Sequence, residues 1–568
     1  MNRILKEYGN LRLWIVSILL GLFFSLCELI GKSFAEMGSL VLVIGNRDYI
    51  LNSLGKGLLM LVLFSIGIAT LYIGLKKLGE RSDAGLIQHK FHTYFLTVFL
   101  VWLPVLIIFY PGTTNVTVRN EVFSFFGIAN ETTKRVNLLS EQVLINGHHS
   151  VFHTLLLGWC VSLGRFFGSD TFGLFLYTAC QYLLFAAIIA AVMMFLQKLG
   201  VHKWIRRAVF FVYLFFPVFP LRVAVSLNKD ELYSVLYLLF VLLCTRIIAE
   251  SESFFDKRRN WVLLGITLLF IMLIRRNGLY ALLLTAPFLL LVAHKKCKIK
   301  LAVLLAAVIV FFTVVISDII YPLCSFTPGS KSSALAVPFQ QTARYKLFYG
   351  NEVTPEEYEV INEVLDYEAM TYSPERASGV LPCYRKDATA KELKAYFEVW
   401  FQMFLKHPMV YVEATIHNSY GYYYPQTYRK EIIMEGISDG SNHGGDFNFH
   451  NSEALQKVRK GIYNLTLYLP KIPFVRLFFT TGIYTWIALF FVGFLFYCKK
   501  YRYMIAFIPL AVNVLICIAS PVNTMLRYML PVVICIPFLA GLCIHEAKAA
   551  QDGEMSKAFA QANKEETK

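Results

Sequence analysis

Charged side chains beside long apolar runs are the first candidates for chemistry in this sequence. A charge at membrane level costs free energy, so the charges that persist there are functional candidates by default. A carboxylate can accept a proton, an arginine can bind a phosphate with two hydrogen bonds, and a histidine can hold a metal. The candidate groups are Arg119, Glu121, Glu141, His148 and His149 in one polar segment, then Asn228–Glu231, Arg275–Gly278, Arg344 and Pro521–Tyr528.

Each group also has a plain structural interpretation. Asp230 begins an apolar run, where an acid complements the dipole of a helix. Arg275 and Arg276 can contact lipid headgroups, and the pair His148-His149 can cap a helix. No Cys, His or acid stands at ligand spacing from that pair, so the sequence predicts no firm cofactor, and a divalent metal is an open alternative.

The elements that position these residues are predicted to be membrane helices. The chain has 568 residues, of which 57% are hydrophobic and only 16% charged, whereas a soluble domain is about 25% charged. Its 54 Lys and Arg outnumber its 38 Asp and Glu, which gives a net charge of +16. These basic residues form short clusters between apolar runs instead of gathering on one polar domain, which argues against a nucleic-acid partner. The composition therefore predicts a polytopic protein in contact with membrane lipids.

Apolar runs of about twenty residues, the length that crosses a bilayer, recur along the chain. They lie near 11–31, 56–77, 92–111, 171–197, 205–222, 230–249, 260–275, 279–294, 300–321, 477–497, 503–520 and 527–546. A further run, 151–167, is shorter and interrupted by glycines and Arg165. If it does not cross, most basic clusters lie on the side of both termini, as the positive-inside rule requires. We therefore predict a multi-pass protein of the plasma membrane with about twelve spans, cytoplasmic termini and a surface helix at 151–167.

These runs also predict the order of segments. Residues 1–90 hold two extra N-terminal spans, 91–321 a transmembrane core with a first extracytoplasmic loop at 112–170, 322–476 an extracytoplasmic cap, 477–546 the C-terminal spans and 547–568 a cytoplasmic tail.

The cap is predicted to be mostly helical. Thr354-Pro-Glu-Glu is typical of a helix start, 391–405 has apolar residues at helical spacing, and 409–420 is a second helical run. The aromatic cluster Tyr420–Tyr424 is typical of a membrane-interface belt. Cys324 and Cys383 share this segment and can pair if it is extracytoplasmic, although their spacing does not require it.

The arrangement of these segments resembles the GT-C superfamily of membrane glycosyltransferases. A long first loop leads into a surface helix that opens at Asn146-Gly-His-His-Ser-Val-Phe-His, and a span, a basic turn and an outside acid, Asp230, follow. More closely, the chain is similar to an uncharacterised family of bacterial polytopic membrane proteins related to GT-C enzymes. The residues that carry this similarity are Tyr110-Pro-Gly, Gly147-His-His, Asn228-Lys-Asp, Arg276-Asn-Gly, Val337-Pro-Phe-Gln-Gln-Thr-Ala-Arg, Gly421-Tyr-Tyr-Tyr-Pro, Ser520-Pro-Val-Asn and Arg527-Tyr-Met-Leu-Pro.

The resemblance implies a GT-C-like core and a function. A sugar would pass from a polyprenyl-phosphate donor to a cell-envelope acceptor at the outer face of the membrane. The resemblance implies Asp230 and Glu121 as the catalytic acids. The groups that it implies for the substrate or the lipid phosphate are Arg276, Arg344, Arg527, His148 and His149.

One position departs from the GT-C pattern. Those enzymes place an acid shortly after the first core span, here near position 117, and this chain has Thr117. Glu121, one helical turn later, is the nearest carboxylate and can substitute; otherwise the catalytic base is lost. A non-catalytic membrane scaffold is therefore an alternative. A lipid or solute transporter is another, although the sequence shows no internal repeat of the kind that many transporters have.

Overall fold

The structure of the chain, a computed structural model, is built from helices. It describes residues 6–80, 89–128, 149–326, 334–428 and 453–565, with the single residues 145, 147 and 332, and for 548–565 it gives the backbone alone. Within these residues, β-structure is confined to isolated bridges. The predicted all-α class is confirmed.

The principal helices are numbered in chain order. They are α1 (Leu11–Met37), α2 (Arg47–Glu80), α3 (Phe91–Ile108), α4 (Val116–Phe125), α5 (Val151–Phe166), α6 (Asp170–Lys198), α7 (Lys203–Phe215), α8 (Lys229–Phe255), α9 (Arg258–Ile274), α10 (Asn277–Val292), α11 (Lys295–Leu323), α12 (Ala336–Tyr349), α13 (Pro355–Val364), α14 (Ala390–Lys406), α15 (Pro408–His417), α16 (Glu453–Tyr468), α17 (Gly482–Tyr497), α18 (Tyr501–Ile518) and α19 (Leu526–Glu565).

Eight of the described helices are long and apolar enough to cross a membrane: α1, α2, α3, α6, α8, α11, α18 and the first part of α19. They support a multi-pass membrane protein whose apolar helices contact lipid, as predicted. The other four predicted spans correspond to α7, α9, α10 and α17, which have 13 to 17 residues. The count of twelve therefore depends on whether these shorter helices also cross.

Polar contacts gather at the two ends of the helix bundle. At one end, here called the cap end, residues 334–428 meet the loop before α19, where Asn418 donates to the carbonyl of Ser520 at 2.7 Å. At the other, the tail end, Lys198 pairs with Glu250 at 2.6 Å. The large apolar core lies between these ends.

Helix α5 stays at the cap end. Ser150, its N-cap, donates to the carbonyl of Leu273 near the end of α9 at 2.7 Å. Arg165 in its last turn pairs with Asp170 at the start of α6, also at 2.7 Å. A Cβ at Gly164 would lie 2.3 Å from a backbone nitrogen of α6, so glycine allows this close packing. Helix α5 therefore forms a hairpin with the first part of α6 and does not reach the tail end.

The cap contains helices α12 to α15. Helix α13 begins at Thr354, as its sequence predicts, and helix α14 begins at Thr389; both starts are capping boxes, completed by Glu357 and Glu392. A hydrophobic cluster separate from the large apolar core of the bundle lies inside this unit. Cys324 and Cys383 are both free thiols, so the disulfide considered from the sequence is not formed.

The cluster Tyr420–Tyr424 is not an interfacial belt. Tyr420, Tyr422 and Tyr424 are all buried, and Tyr422 donates to the carbonyl of Val522 at 2.8 Å. The prediction is wrong because the cap contacts the loop before α19, and these rings fill the space between the cap and the bundle.

Candidate functional site

Side chains from different elements meet around Glu121 at the cap end. The side chain of Glu121 is 1% exposed. Its carboxylate contacts Nδ1 of His153 in α5, Nζ of Lys229 at the start of α8 at 3.5 Å, and Nδ1 of His149 at 3.6 Å. We call these four residues the Glu121 cluster. It surrounds one buried carboxylate with groups that are or can become positive.

The local sequence explains how α4 and α5 bring Glu121 and His153 together. Helix α4 begins after Asn115, whose side chain accepts a hydrogen bond from the first turn, and Glu121 lies on the buried face of this helix. Gly158 in α5 faces Phe125 in α4, and a Cβ at Gly158 would lie only 2.0 Å from that ring. A larger residue at 158 would push the two helices apart and separate Glu121 from His153.

Hydrogen bonds lead from His153 into the bundle. Nε2 of His153 lies 2.9 Å from the hydroxyl of Tyr177 in α6, and Tyr177 donates to Gln181 at 3.3 Å. Gln181 donates to two backbone carbonyls in the turn before α8, both at 2.8 Å. These bonds tie the start of α8 to α6 and thereby fix Lys229 relative to His153.

The charges around Glu121 keep its carboxyl group ionised. Burial alone would raise the pKa of this group. The positive groups of His153, Lys229 and His149 outweigh burial and lower the pKa of Glu121 to about 2.

We expect the stability of the protein to fall in acid as Glu121 takes up a proton. The folded-state pKa of Glu121 lies below the ordinary value of 4.5. Its ionised form therefore contributes stability above about pH 4.5, and that contribution is lost as the pH falls towards about 2. The melting temperature of the detergent-solubilised protein, compared between about pH 6 and about pH 3, should fall less in Glu121→Gln than in the unchanged chain. Equal falls would show that another group carries the acid sensitivity.

A second cluster forms around Asp230, the residue after Lys229. Nη1 of Arg275, between α9 and α10, lies 2.9 Å from its carboxylate, and Nε of Arg527 in α19 lies 3.6 Å away. The side chain of Asp230 is 6% exposed, whereas those of Arg275 and Arg527 are 18% and 25% exposed. Both guanidinium groups also lie over the ring of Tyr528, at 4.7 and 5.2 Å from its centre. In this Asp230 cluster a buried acid and an aromatic ring hold two arginines that can be reached from outside the protein.

A family model described as "Family of unknown function (DUF6020)" matches residues 138–557. The chain belongs to this family. No curated protein and no solved structure matches the chain. The DUF6020 match contains the whole Asp230 cluster, together with His149, His153 and Lys229, but it begins after α4. Glu121 therefore lies outside the matched segment, although it contacts three residues within it.

The structure brings together some of the site residues predicted from the sequence and places others elsewhere. Glu121, His149, Asp230 and Arg527 meet in the two adjacent clusters. Arg344 instead pairs with Glu413 at 2.5 Å inside the cap, because α12 packs against α15 there.

Arg276 and His148 are the remaining predicted site residues. Arg276 is exposed at the N-cap of α10 and takes no part in the clusters, although Arg275 beside it contacts Asp230. His148 lies outside the described residues.

The sequence did not single out His153 or Tyr177, and it left Arg275 open between a functional group and a headgroup contact. A signal for His153 exists, because it stands in the first turn after the predicted start of the surface helix, four residues after His149. Tyr177 has no such signal, since it lies inside a continuous apolar run.

Within the described part of the chain, no three His, Cys, Asp or Glu side chains are placed to hold a metal ion. At Glu121 the ammonium group of Lys229 lies 3.5 Å from the carboxylate, where its charge would repel a metal cation. The donor set of this DUF6020 site therefore suits an anion better than a metal.

Proposed function

We propose that this DUF6020 protein transfers a sugar from a polyprenyl-phosphate donor to a cell-envelope acceptor at the outer face of the membrane, with a GT-C-like transmembrane core. The observation that supports this best is the adjacency of the two clusters. Lys229, Arg275 and Arg527 lie beside two buried carboxylates at one end of an apolar helix bundle. Cations and carboxylates are the groups that a phosphate leaving group and an attacking hydroxyl require.

The Asp230 cluster suits the phosphate of the donor. The guanidinium groups of Arg275 and Arg527 are partly exposed, so they can bind a phosphate in a planar, two-bonded geometry while Asp230 still orients them. When the bond between the sugar and the phosphate breaks, the phosphate gains negative charge, and cations already in place stabilise it. Exposed apolar side chains on α9 and α10, such as Ile266 and Leu284, offer a surface for the isoprenoid chain.

Donor binding would also convert Glu121 into the catalytic base. At rest its low pKa makes it a weak base. Lys229 lies 3.5 Å from Glu121 and directly precedes Asp230, so a bound phosphate would attract Lys229 away from Glu121. Removing this charge raises the pKa of Glu121. The carboxylate then accepts the proton of the acceptor hydroxyl while that oxygen attacks the anomeric carbon, and the phosphate leaves with inversion of the sugar.

The test is to incubate the purified full-length protein with radiolabelled polyprenyl-phosphate sugars and to follow label into cell-envelope fractions. The chain offers a matched pair, because Arg275 and Arg276 are neighbours and only Arg275 contacts Asp230. Arg275→Gln should lower transfer by about 100-fold or more, as expected for losing a group that stabilises developing charge, and Arg276→Gln should change it little. Arg527→Gln should weaken donor binding, and Arg527→Lys should restore only part of it. Absence of transfer from every donor, or equal losses in the matched pair, would contradict the proposal.

The proposal includes about twelve spans, cytoplasmic termini and a cap end outside the cell. Single cysteines at 167, in the turn between α5 and α6, and at 203, at the start of α7, should then react with a membrane-impermeant thiol reagent from opposite sides. Phe167 is 64% exposed, and Cys180 and Cys324, the exposed native thiols of the described chain, are replaced by Ser first. Reaction of both positions from the same side would contradict this topology.

A non-catalytic scaffold is the second candidate function. It is favoured by Thr117, which stands where the GT-C pattern places an acid, and by the close pairing of Glu121 and Asp230 with cations. A scaffold predicts that removing either carboxylate affects stability alone.

A further inference from the structure

A cavity of about 650 Å³ lies at the tail end of the bundle, far from the two clusters. It opens between the ends of α8 and α10 and the starts of α11 and α18. Its polar wall carries Lys295, Lys298 and Arg502, and its apolar wall carries Leu291 and Val292.

The cavity has an excess of positive charge. Lys295 and Lys298 belong to one turn at the start of α11, whereas Arg502 comes from a distant part of the chain and donates to the carbonyl of Val292 at 3.1 Å. Glu252, the acid that lines the cavity, lies 3.5 Å from Lys296, so its charge is already partly compensated. An anion is the ligand that this arrangement suits.

The apolar wall narrows the choice of anion. Leu291, in the last turn of α10, is 70% exposed and lies at the edge of the cavity, where α10 offers an apolar surface to its surroundings. Basic pockets between membrane helices that combine cations with apolar walls fit a charged headgroup joined to hydrocarbon chains. A free phosphate ion would use the cations but gain nothing from the exposed leucine.

We propose that this cavity binds the phosphate headgroup of an anionic phospholipid in the leaflet at the tail end, with the lipid chains along α10. One headgroup there contacts residues from α10, α11 and α18 and so holds these helices together. Binding at this end requires nothing of the chemistry proposed for the cap end, and either can fail without the other.

The test uses the full-length protein in a neutral detergent, titrated with phosphatidylglycerol while its melting temperature is followed. Phosphatidylcholine with the same chains and inorganic phosphate are the two comparison ligands. The cavity variant is Lys295→Gln with Lys298→Gln and Arg502→Gln. Its matched control removes three exposed cations of the same end outside the cavity, as Lys257→Gln, Arg258→Gln and Arg259→Gln.

We expect phosphatidylglycerol to raise the melting temperature of the unchanged chain and of the control, with little effect from either comparison ligand. Each cation near a lipid phosphate contributes about five-fold in affinity, so the cavity variant, which lacks three, should bind phosphatidylglycerol about 100-fold more weakly. If that variant does not fold, the single change Lys295→Gln, at an exposed side chain, should weaken binding about five-fold. Equal stabilisation by inorganic phosphate would overturn the assignment to a lipid, and equal weakening in the control would overturn the assignment to this cavity.

Discussion

Asp230→Asn is expected to abolish transfer and also to destabilise the protein. Its carboxylate is buried between Arg275 and Arg527, and the asparagine would leave both arginines without their counter-ion. Breaking a buried ion pair costs about 3–5 kcal/mol. Because the two arginines are 18% and 25% exposed, we expect a loss near the lower limit, about 3 kcal/mol. Transfer should fall by about 10²–10⁴-fold when measured well below the melting temperature, since the cations would lose their orientation.

The matched control for this change is Asp170→Asn. Asp170 also begins a long helix and also pairs with an arginine, but Arg165 is 40% exposed and the pair lies outside both clusters. An acid that interacts only with a helix dipole and an exposed partner contributes about 1 kcal/mol or less to the free energy of unfolding. Asp170→Asn should therefore melt near the temperature of the unchanged chain and transfer normally. Similar losses of stability in the two variants would show that the Asp230 cluster is no more than a helix start.

The positions of the helices follow largely from local sequence. The structure contains helices where the sequence has runs of about twenty apolar residues, and it contains the helix start predicted at Thr354. Both signals are local, because span length and helix capping depend on residues that are close together in the chain. The run 205–222 shows the limit of this reasoning. Helix α7 ends at Phe215, and Pro217 and Pro220 follow. Proline lacks an N–H donor and restricts the residue before it, so the apolar composition located the run but gave the wrong length for its helix.

The site was predictable only in part, because its contacts join residues that are distant in the chain. Asp230 and Glu121 stood out as charges beside apolar runs, and both are buried in clusters. Which cation each one meets depends on packing. Arg275 and Arg276 are neighbours of the same residue type, so the sequence does not say which of them contacts Asp230. The path of the chain between α9 and α10 places Arg275 there. Arg344 pairs with Glu413 for the same kind of reason, since α12 and α15 meet inside the cap.

Glu121→Gln is the change that best separates an enzyme from a scaffold. It removes the only carboxylate that His153, Lys229 and His149 share among the described contacts, so some loss of stability at neutral pH is expected under either function. If Glu121 is the base, transfer should fall by about 10²–10⁴-fold, beyond what the lost stability explains. Glu413→Gln provides the control, because it breaks a pair with a buried arginine inside the cap, away from both clusters. That variant should lose stability and keep its transfer rate per folded molecule.

Thr117→Asp tests the same role of Glu121 by adding a carboxylate instead of removing one. Position 117 lies one turn before Glu121 on α4 and is partly exposed, whereas Glu121 is buried, so an added carboxylate there is expected to be better solvated than that of Glu121. Such a group has a nearly ordinary pKa and is therefore a stronger base than Glu121 at rest. If Glu121 serves as a displaced base, Thr117→Asp should raise transfer in the unchanged chain and restore part of it in Glu121→Gln. If Glu121→Gln and Asp230→Asn each complement a deletion of the gene as fully as the unchanged chain does, neither carboxylate is catalytic, and the scaffold function is the correct one.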